Sequence, residues 1–488
     1  MLFNSLEFLL FLPLVTIIYF SLPSKYRWFW LLLSSYYFYM CWNPKYAILI
    51  FTSTVITYLS GITIDRINKS TSINQKVKYK NWCVAFSFSI NLLILVYFKY
   101  FNFFIENINA VVLKYDFGET LPFVDILLPV GISFYTFQAL SYTLDVYRGD
   151  TETEYHFGRY ALFVSFFPQL VAGPIERSSN LLSQFKLKQK FSFNNLSFGA
   201  FLILRGLFKK VVIADRLAIL VNTIYNNPTN HEGLPLIVAT LFFTFQIYCD
   251  FSAYSDIAIG TAKIMGFDLM QNFNKPYFAQ NVTEFWRKWH ISLSTWFKDY
   301  LYIPLGGNRV SSFKRLRNIF IVFIVSGLWH GASWNFIIWG GLHGIGLIFE
   351  QLSKPLKQFI NLKLNIKTNG YSYKLFHIIV TFSFVSLAWV FFRANTLTDA
   401  VYILQHMFTI NSFELLDTGL SDFDLGFSFF LIMFLITVQI IERKNNLTEI
   451  ILKENIIPRW ITVVTLVLII IFWGFYPVEP SQFIYFQF

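Results

Sequence analysis

Charge is scarce in this chain. Asp, Glu, Lys and Arg make up 14% of 488 residues, against roughly a quarter in soluble domains. With 55% hydrophobic residues, a soluble fold of this size could not hide its apolar surface, and a disordered chain is excluded as well. Cysteine is nearly missing. Cys41, Cys83 and Cys249 are odd in number, lie in apolar runs and form no CxxC pair, so no disulfide framework or cysteine metal site is expected. The chain has no HExxH zinc helix, Walker phosphate loop, G-x-S-x-G elbow or kinase signature set. No metal ligand set and no bound cofactor is therefore expected.

What is abundant is aromatic and apolar. Phe 59, Tyr 27 and Trp 13 bring the aromatic share to 20%, and the mean hydropathy is +0.50. These values define a polytopic membrane protein. The net charge of +11 points to basic cytoplasmic loops rather than to nucleic acid. The N-terminal run MLFNSLEFLLFLPLVTIIYF lacks a positive start and a small-residue cleavage site, so it is expected to be a retained span.

A spanning helix needs about 20 mostly apolar residues. Candidate spans are 5–22, 28–42, 46–64, 82–104, 234–259, 319–329, 334–349, 375–392, 425–441 and 460–476. Between Ile126 and Ile175 the apolar sequence is broken by Pro129, Gly131, Pro168, Gly173 and Pro174. A re-entrant segment fits there only if protein buries the broken backbone. The stretch 196–225 carries RGLFKK and Asp215–Arg216, so part of it is expected in the interface. Basic loops (DRINKSTSINQKVKYK, 186–190, 287–317, 354–374, 443–459) alternate with loops free of Lys and Arg (116–125, 226–233, 414–424). The alternation is consistent with about 11–12 crossings, both ends outside at the count of 12. With no internal repeat and no separate soluble region, residues 1–488 are expected to form a single transmembrane domain.

Ionisable groups inside apolar sequence are functional candidates. Among seven histidines, His156 and His231 stand in polar loops, and His377 and His406 lack a motif. His330 stands in IVSGLWHGASWNFIIWGGLHG. Entry near Asn318 places it roughly 18 Å deep, past the middle of a ~30 Å core. Gly327, Gly331, Ala332, Gly340 and Gly341 either let backbones approach or leave room for a channel walled by Trp329 and Trp334. The plain alternative is a histidine that bonds helix to helix, and that reading suits His343 better. His290 stands in NVTEFWRKWHISLSTWFKDYLYIPLGGNR. Trp286, Trp289, Leu293, Trp296 and Phe297 recur at helical spacing. The plain reading is one amphipathic interfacial helix. The functional reading adds an electropositive mouth from Arg287, Lys288 and Lys298, with Arg309 after a Gly–Gly turn available for phosphate or carboxylate. Asp250 and Asp256, with Gln246, Ser252 and Ser255, form a polar stripe that must pair inside the bundle.

At these segments the chain resembles the membrane-bound O-acyltransferase (MBOAT) family. The resemblance is to its bacterial alginate O-acetyltransferase branch, which includes the peptidoglycan O-acetyltransferase membrane subunits. It is carried in order by LLPVGISFYTFQALSYTLDVYRG, FFPQLVAGPIER, FQIYCDFSAYSDIAIG, NFNKPYFAQNVTEFWRKWHISLSTWFKDYLYIPLGGNR, SGLWHGASWNFIIWGGLHG and WVFFRAN, and the ending FIYFQF fits as well. The D-alanyl-lipoteichoic acid transferase branch shares the WRKWHISLS-like segment but normally lacks YIPLGGNR. The resemblance implies an all-α ring of transmembrane, re-entrant and interfacial helices around a central tunnel. It places the family's near-invariant histidine on His330 and the partner histidine on His290 as catalytic residues. Trp286, Arg287, Trp289, Arg309, Trp329 and Asn335 are candidates to bind substrate or line the tunnel.

The resemblance implies acyl transfer from a cytoplasmic thioester, acetyl-CoA or an acyl carrier, across a bacterial inner membrane. The end product would be an O-acetylated extracytoplasmic polysaccharide: alginate, peptidoglycan or another exopolysaccharide. Its implied partners are the bilayer, the polysaccharide and an extracytoplasmic SGNH-hydrolase-like acetyltransferase, with no nucleic acid. In that chemistry His330 is the base, and His290 positions a substrate or stabilises the oxyanion. Two other classes compete with it. One is a proton-coupled transporter or lipid flippase with a buried His/Asp relay. The other is a membrane partner without activity of its own.

Overall fold

The computed structural model describes residues 1–70, 73–409, 419–443, 447–476 and 482–484. Thr71 and Ser72 of the first basic segment, residues 414–418 of a loop free of Lys and Arg, and the last four residues of FIYFQF lie outside them. Every regular element among the described residues is helical. The chain divides into two compact units, residues 1–200 with 258–270, and residues 201–257 with 271–488.

The first unit holds α1 (Leu6–Ser21), α2 (Arg27–Met40), α3 (Ala47–Ser70), α4 (Ile73–Leu95), α5 (Phe101–Tyr115), α6 (Ile132–Arg148), α7 (Phe157–Ser165) and α8 (Ser178–Gln184). The basic segment expected as a loop is mostly the ends of α3 and α4, which carry their lysines as helical residues. The Pro- and Gly-rich run 166–176 is irregular and buried throughout. Protein therefore encloses its broken backbone, as the membrane rule demands. Gly131 starts α6 at φ 76°, and a Cβ there would stand 2.9 Å from the Leu170 carbonyl oxygen.

Past α9 (Phe193–Leu207), the second unit holds α10 (Asp215–Asn226), most of α11 (Leu234–Ile264), α12 (Val282–Lys288), α13 (Ile291–Phe297), α14 (Ser312–His330), α15 (Trp334–Lys363), α16 (Tyr371–Arg393), α17 (Leu397–His406), α18 (Asp422–Ile441), α19 (Leu447–Lys453) and α20 (Ile456–Trp473). Among the described residues, six helical segments are long and apolar enough to cross a membrane: Pro44–Lys69, Gln75–Tyr115, Leu234–Ile264, Tyr371–Arg393, Asp422–Ile441 and Ile456–Trp473. Leu234–Ile264 is mostly buried, while the other five turn large side chains outward without cover. Ile457 is 70% and Phe472 76% exposed, and α20 buries none of its residues. Such faces suit lipid and not water. The other expected spans differ for physical reasons. The 16 residues of α1 reach only ~24 Å, short of a ~30 Å core. The first turns of α14 carry Lys314, Arg315 and Arg317.

The α14–α15 hairpin is built on glycine. A Cβ on Gly327 would overlap the Phe336 carbonyl oxygen, and one on Gly340 would overlap that of Phe323. A Cβ on Gly331 would enter the Phe336 ring. These glycines therefore serve close backbone approach, and the alternative of open channel space does not hold at them.

On the α11 stripe, Asp250, Ser252, Ser255 and Asp256 find polar partners, three of them with RGLFKK. Lys209 and Lys210 are buried at 8% and 1% exposure in a π-helical stretch, Phe208–Ala214. Arg205 grips Asp256 through two nitrogens at 2.9 and 3.1 Å, and Lys209 reaches the same carboxylate at 2.8 Å. Lys210 bridges Asp250 at 2.6 Å and Asp215 at 2.9 Å. Asp250 also accepts the Ile484 backbone N–H at 2.8 Å. Charge inside a membrane protein survives only when paired in this way.

Candidate active site

The strongest sequence candidate sits where its helix stops. His330 is the last residue of α14, because Gly331 leaves the helix for an extended conformation. Its side chain is 4% exposed. The imidazole meets Trp329 and Trp339, each at 4.9 Å between ring centroids, and Phe392 at 5.4 Å, all edge-on. Trp339 in turn stacks on Trp389 at 5.5 Å. The walls around His330 are thus aromatic and buried, drawn from α14, α15 and α16.

The second candidate breaks a helix. The periodicity of Trp286 through Phe297 predicts one continuous amphipathic helix, yet α12 ends at Lys288 and α13 starts at Ile291. Trp289 is extended and His290 adopts the left-handed region at φ 43°, ψ 56°. The reason is a competing backbone partner: Asn274 N–H donates to Lys288 O and Ile291 N–H to Asn272 O, both at 2.9 Å. The Trp residues are not interfacial anchors either, since Trp286 and Trp289 are buried at 8% and 0% exposure.

His290 is fully buried. Its Nδ1 lies 3.1 Å from Asn272 Oδ1, and its ring meets Phe251 at 4.7 Å and Trp329 at 6.0 Å. Burial lowers its pKa from 6.5 to about 3, which keeps the ring neutral. His290 lies outside the six apolar spans. The two histidines are far apart in sequence, yet the Trp329 indole touches both.

His343 lies in the same aromatic mass with a different role. Trp286 Nε1–H donates to its Nδ1 at 3.2 Å, and Phe285 stacks on it. It joins α12 to α15, as the helix-to-helix reading expects. Among the other candidates, Trp289 packs against Phe273, Phe285 and Trp389. Asn335 donates to the Ala394 carbonyl at 2.8 Å and ties the start of α15 to the end of α16. Arg287 and Arg309 are both exposed. Arg309 follows a turn formed by Gly306 at φ 103° and Gly307 at φ 51°, and its N–H donates to Gly306 O. Sequence reasoning missed Asn272, although it stands in the quoted block NFNKPYF. A polar side chain at 0% exposure among aromatic neighbours was its one available signal.

A multi-pass chain, helical in every regular element described, with two buried histidines around a shared indole fits a membrane-embedded enzyme class. The comparisons with known proteins then specify it. The model of the membrane-bound O-acyltransferase family matches residues 151–392. A probable alginate O-acetylase of Pseudomonas aeruginosa is 40% identical over 420 residues, covering 85% of this chain and 76% of the relative. A peptidoglycan O-acetyltransferase of Helicobacter pylori is 38% identical, covering 85% and 81%. A teichoic acid D-alanyltransferase of Streptococcus thermophilus is 29% identical, covering 54% and 68%. The chain belongs to the membrane-bound O-acyltransferase family and is a multi-pass membrane acyltransferase.

Proposed function

We propose that this enzyme takes an acetyl group from a cytoplasmic thioester, acetyl-CoA or an acyl carrier, and moves it across the inner membrane for O-acetylation of an extracytoplasmic polysaccharide. Support comes from its relatives' activities on alginate and peptidoglycan. The observation that carries the reading is the indole of Trp329 in contact with both His290 and His330 inside a buried aromatic setting. A neutral imidazole suits this chemistry near pH 7. In the proposed step, the acceptor hydroxyl gives its proton to His330 as its oxygen bonds to the acyl carbon. The C–S bond then breaks, and the leaving thiolate takes up a proton from the imidazolium. His290 positions a substrate or steadies the developing oxyanion. The aromatic walls exclude water, which would otherwise hydrolyse the thioester. Exposed Arg287 and Arg309 would attract an anionic donor, and Trp286, Trp289 and Asn335 hold the walls. An SGNH-hydrolase-like transferase outside would complete delivery.

The test uses purified protein in nanodiscs with radiolabelled acetyl-CoA, a hydrolase-like partner and candidate polysaccharides. CoA release coupled to polymer labelling is expected. Transport of a lipid or polymer with no thioester consumed, whichever donor is supplied, would overturn the reading.

A further inference from the structure

The side chain of Asn272 makes a set of contacts that admits one orientation. Its Oδ1 faces the backbone N–H of Ser292 at 3.2 Å and the Ser292 hydroxyl at 2.9 Å. A backbone N–H can only donate, so the atom facing it must be the carbonyl oxygen and not the NH₂. The amide nitrogen then points to Ser255 Oγ at 3.3 Å, where it can donate. The same carbonyl oxygen lies 3.1 Å from His290 Nδ1. A carbonyl oxygen bears no proton to donate, so Nδ1 must carry the proton. The lone pair of the neutral ring is then on Nε2. Ser292 Oγ, 3.4 Å from Nδ1, offers the same proton a second acceptor.

His290 is also held in the left-handed backbone region, which is costly for a non-glycine residue. The cost is carried at the residue that Asn272 orients from two directions, through its side chain and through its backbone carbonyl to Ile291 N–H. His343 shows the opposite arrangement: its Nδ1 accepts from Trp286, which leaves its proton on Nε2.

We propose that Asn272 is a positioning residue that locks His290 as the Nδ1–H tautomer, so that Nε2 accepts a hydrogen bond from a substrate O–H, S–H or N–H. This rests on the acyl-transfer reading and deepens it. A neutral Nε2 lone pair repels an oxyanion, so of the two roles open to His290 it holds a substrate donor group. Asn272 orients without adding charge. A carboxylate in its place would keep the tautomer but favour the imidazolium.

The test is nitrogen-15 NMR of histidine-labelled protein in lipid, with His290 assigned by comparison with His290→Gln. The wild-type ring should show a protonated Nδ1 and an unprotonated Nε2. Asn272→Leu should lose that pattern and about ten-fold in turnover at saturating donor, while Asn272→Asp should recover turnover with the acid limb of its pH profile moved to higher pH. A protonated Nε2 in the wild type would overturn the proposal, as would wild-type turnover and pH profile in Asn272→Leu. If Asn272→Leu does not fold, the wild-type spectrum decides alone. If the spectrum is as expected but no thioester is consumed, the acyl-transfer reading fails and the tautomer assignment stands.

Discussion

At the scale of single residues, two buried imidazoles meet at one indole, and burial keeps that of His290 neutral. His290 has a pKa of about 3 in the folded chain and ~6.5 when unfolded. Above pH 6.5 neither state binds the proton and nothing is lost. As pH falls below 6.5 the unfolded state binds it and the folded state does not, so stability declines, by about 2 kcal/mol at pH 5. Thermal unfolding in detergent between pH 7.5 and 5 should show this slope in the wild type and a flatter one in His290→Gln. Equal slopes would contradict neutral burial. His330 and His290 were candidates in the sequence because the blocks around them are distinctive, and the structure brings both against Trp329. The carbonyl that orients His290 was not a candidate. Asn272 lies 18 residues away, and no periodicity links an irregular segment to a helix break. The partners of Arg205, Lys209 and Lys210 were not legible for a related reason. A basic run in sequence does not show which carboxylates neutralise it, here Asp250 and Asp256 on α11.

At the scale of elements, helices were legible where apolar sequence ran long. The expected spans 234–259, 375–392 and 425–441 fall within α11, α16 and α18. The α12–α13 break was not legible, because its periodicity continues through it and only the backbone bonds to 272–274 impose the interruption. Two predictions belong here. Gly340→Ala should force α15 off α14, costing about 1–3 kcal/mol and lowering acyl transfer on the order of 10²-fold through a shifted His330. Thermal unfolding and turnover check both, and unchanged values would show that the hairpin tolerates a Cβ there. Lys210→Met strands Asp250 and Asp215 without their buried cation. It should destabilise the protein by about 3–5 kcal/mol, seen as loss of monodisperse protein on mild heating. Wild-type behaviour would mean that the carboxylates are otherwise neutralised.

At the scale of the whole molecule, the membrane class was decided by composition, and an all-helical architecture followed. The number of crossings was less legible, because α1 is short and α14 begins with charge, so hydropathy and length part company there. Orientation is a separate prediction from loop charge. In a variant lacking the exposed Cys41, a cysteine replacing exposed Arg309 should react with an impermeant thiol reagent only after the cells are opened, and one replacing exposed Glu119 should react in intact spheroplasts. Labelling of both from one side would contradict the arrangement. The central claim is that the histidines meeting at Trp329 perform acyl transfer. Its most direct test is label transfer from radiolabelled acetyl-CoA in nanodiscs by wild type and His330→Ala, with unfolding temperatures matched. The account predicts at least a ~10²-fold loss in the variant. Wild-type transfer by a folded His330→Ala protein would contradict it.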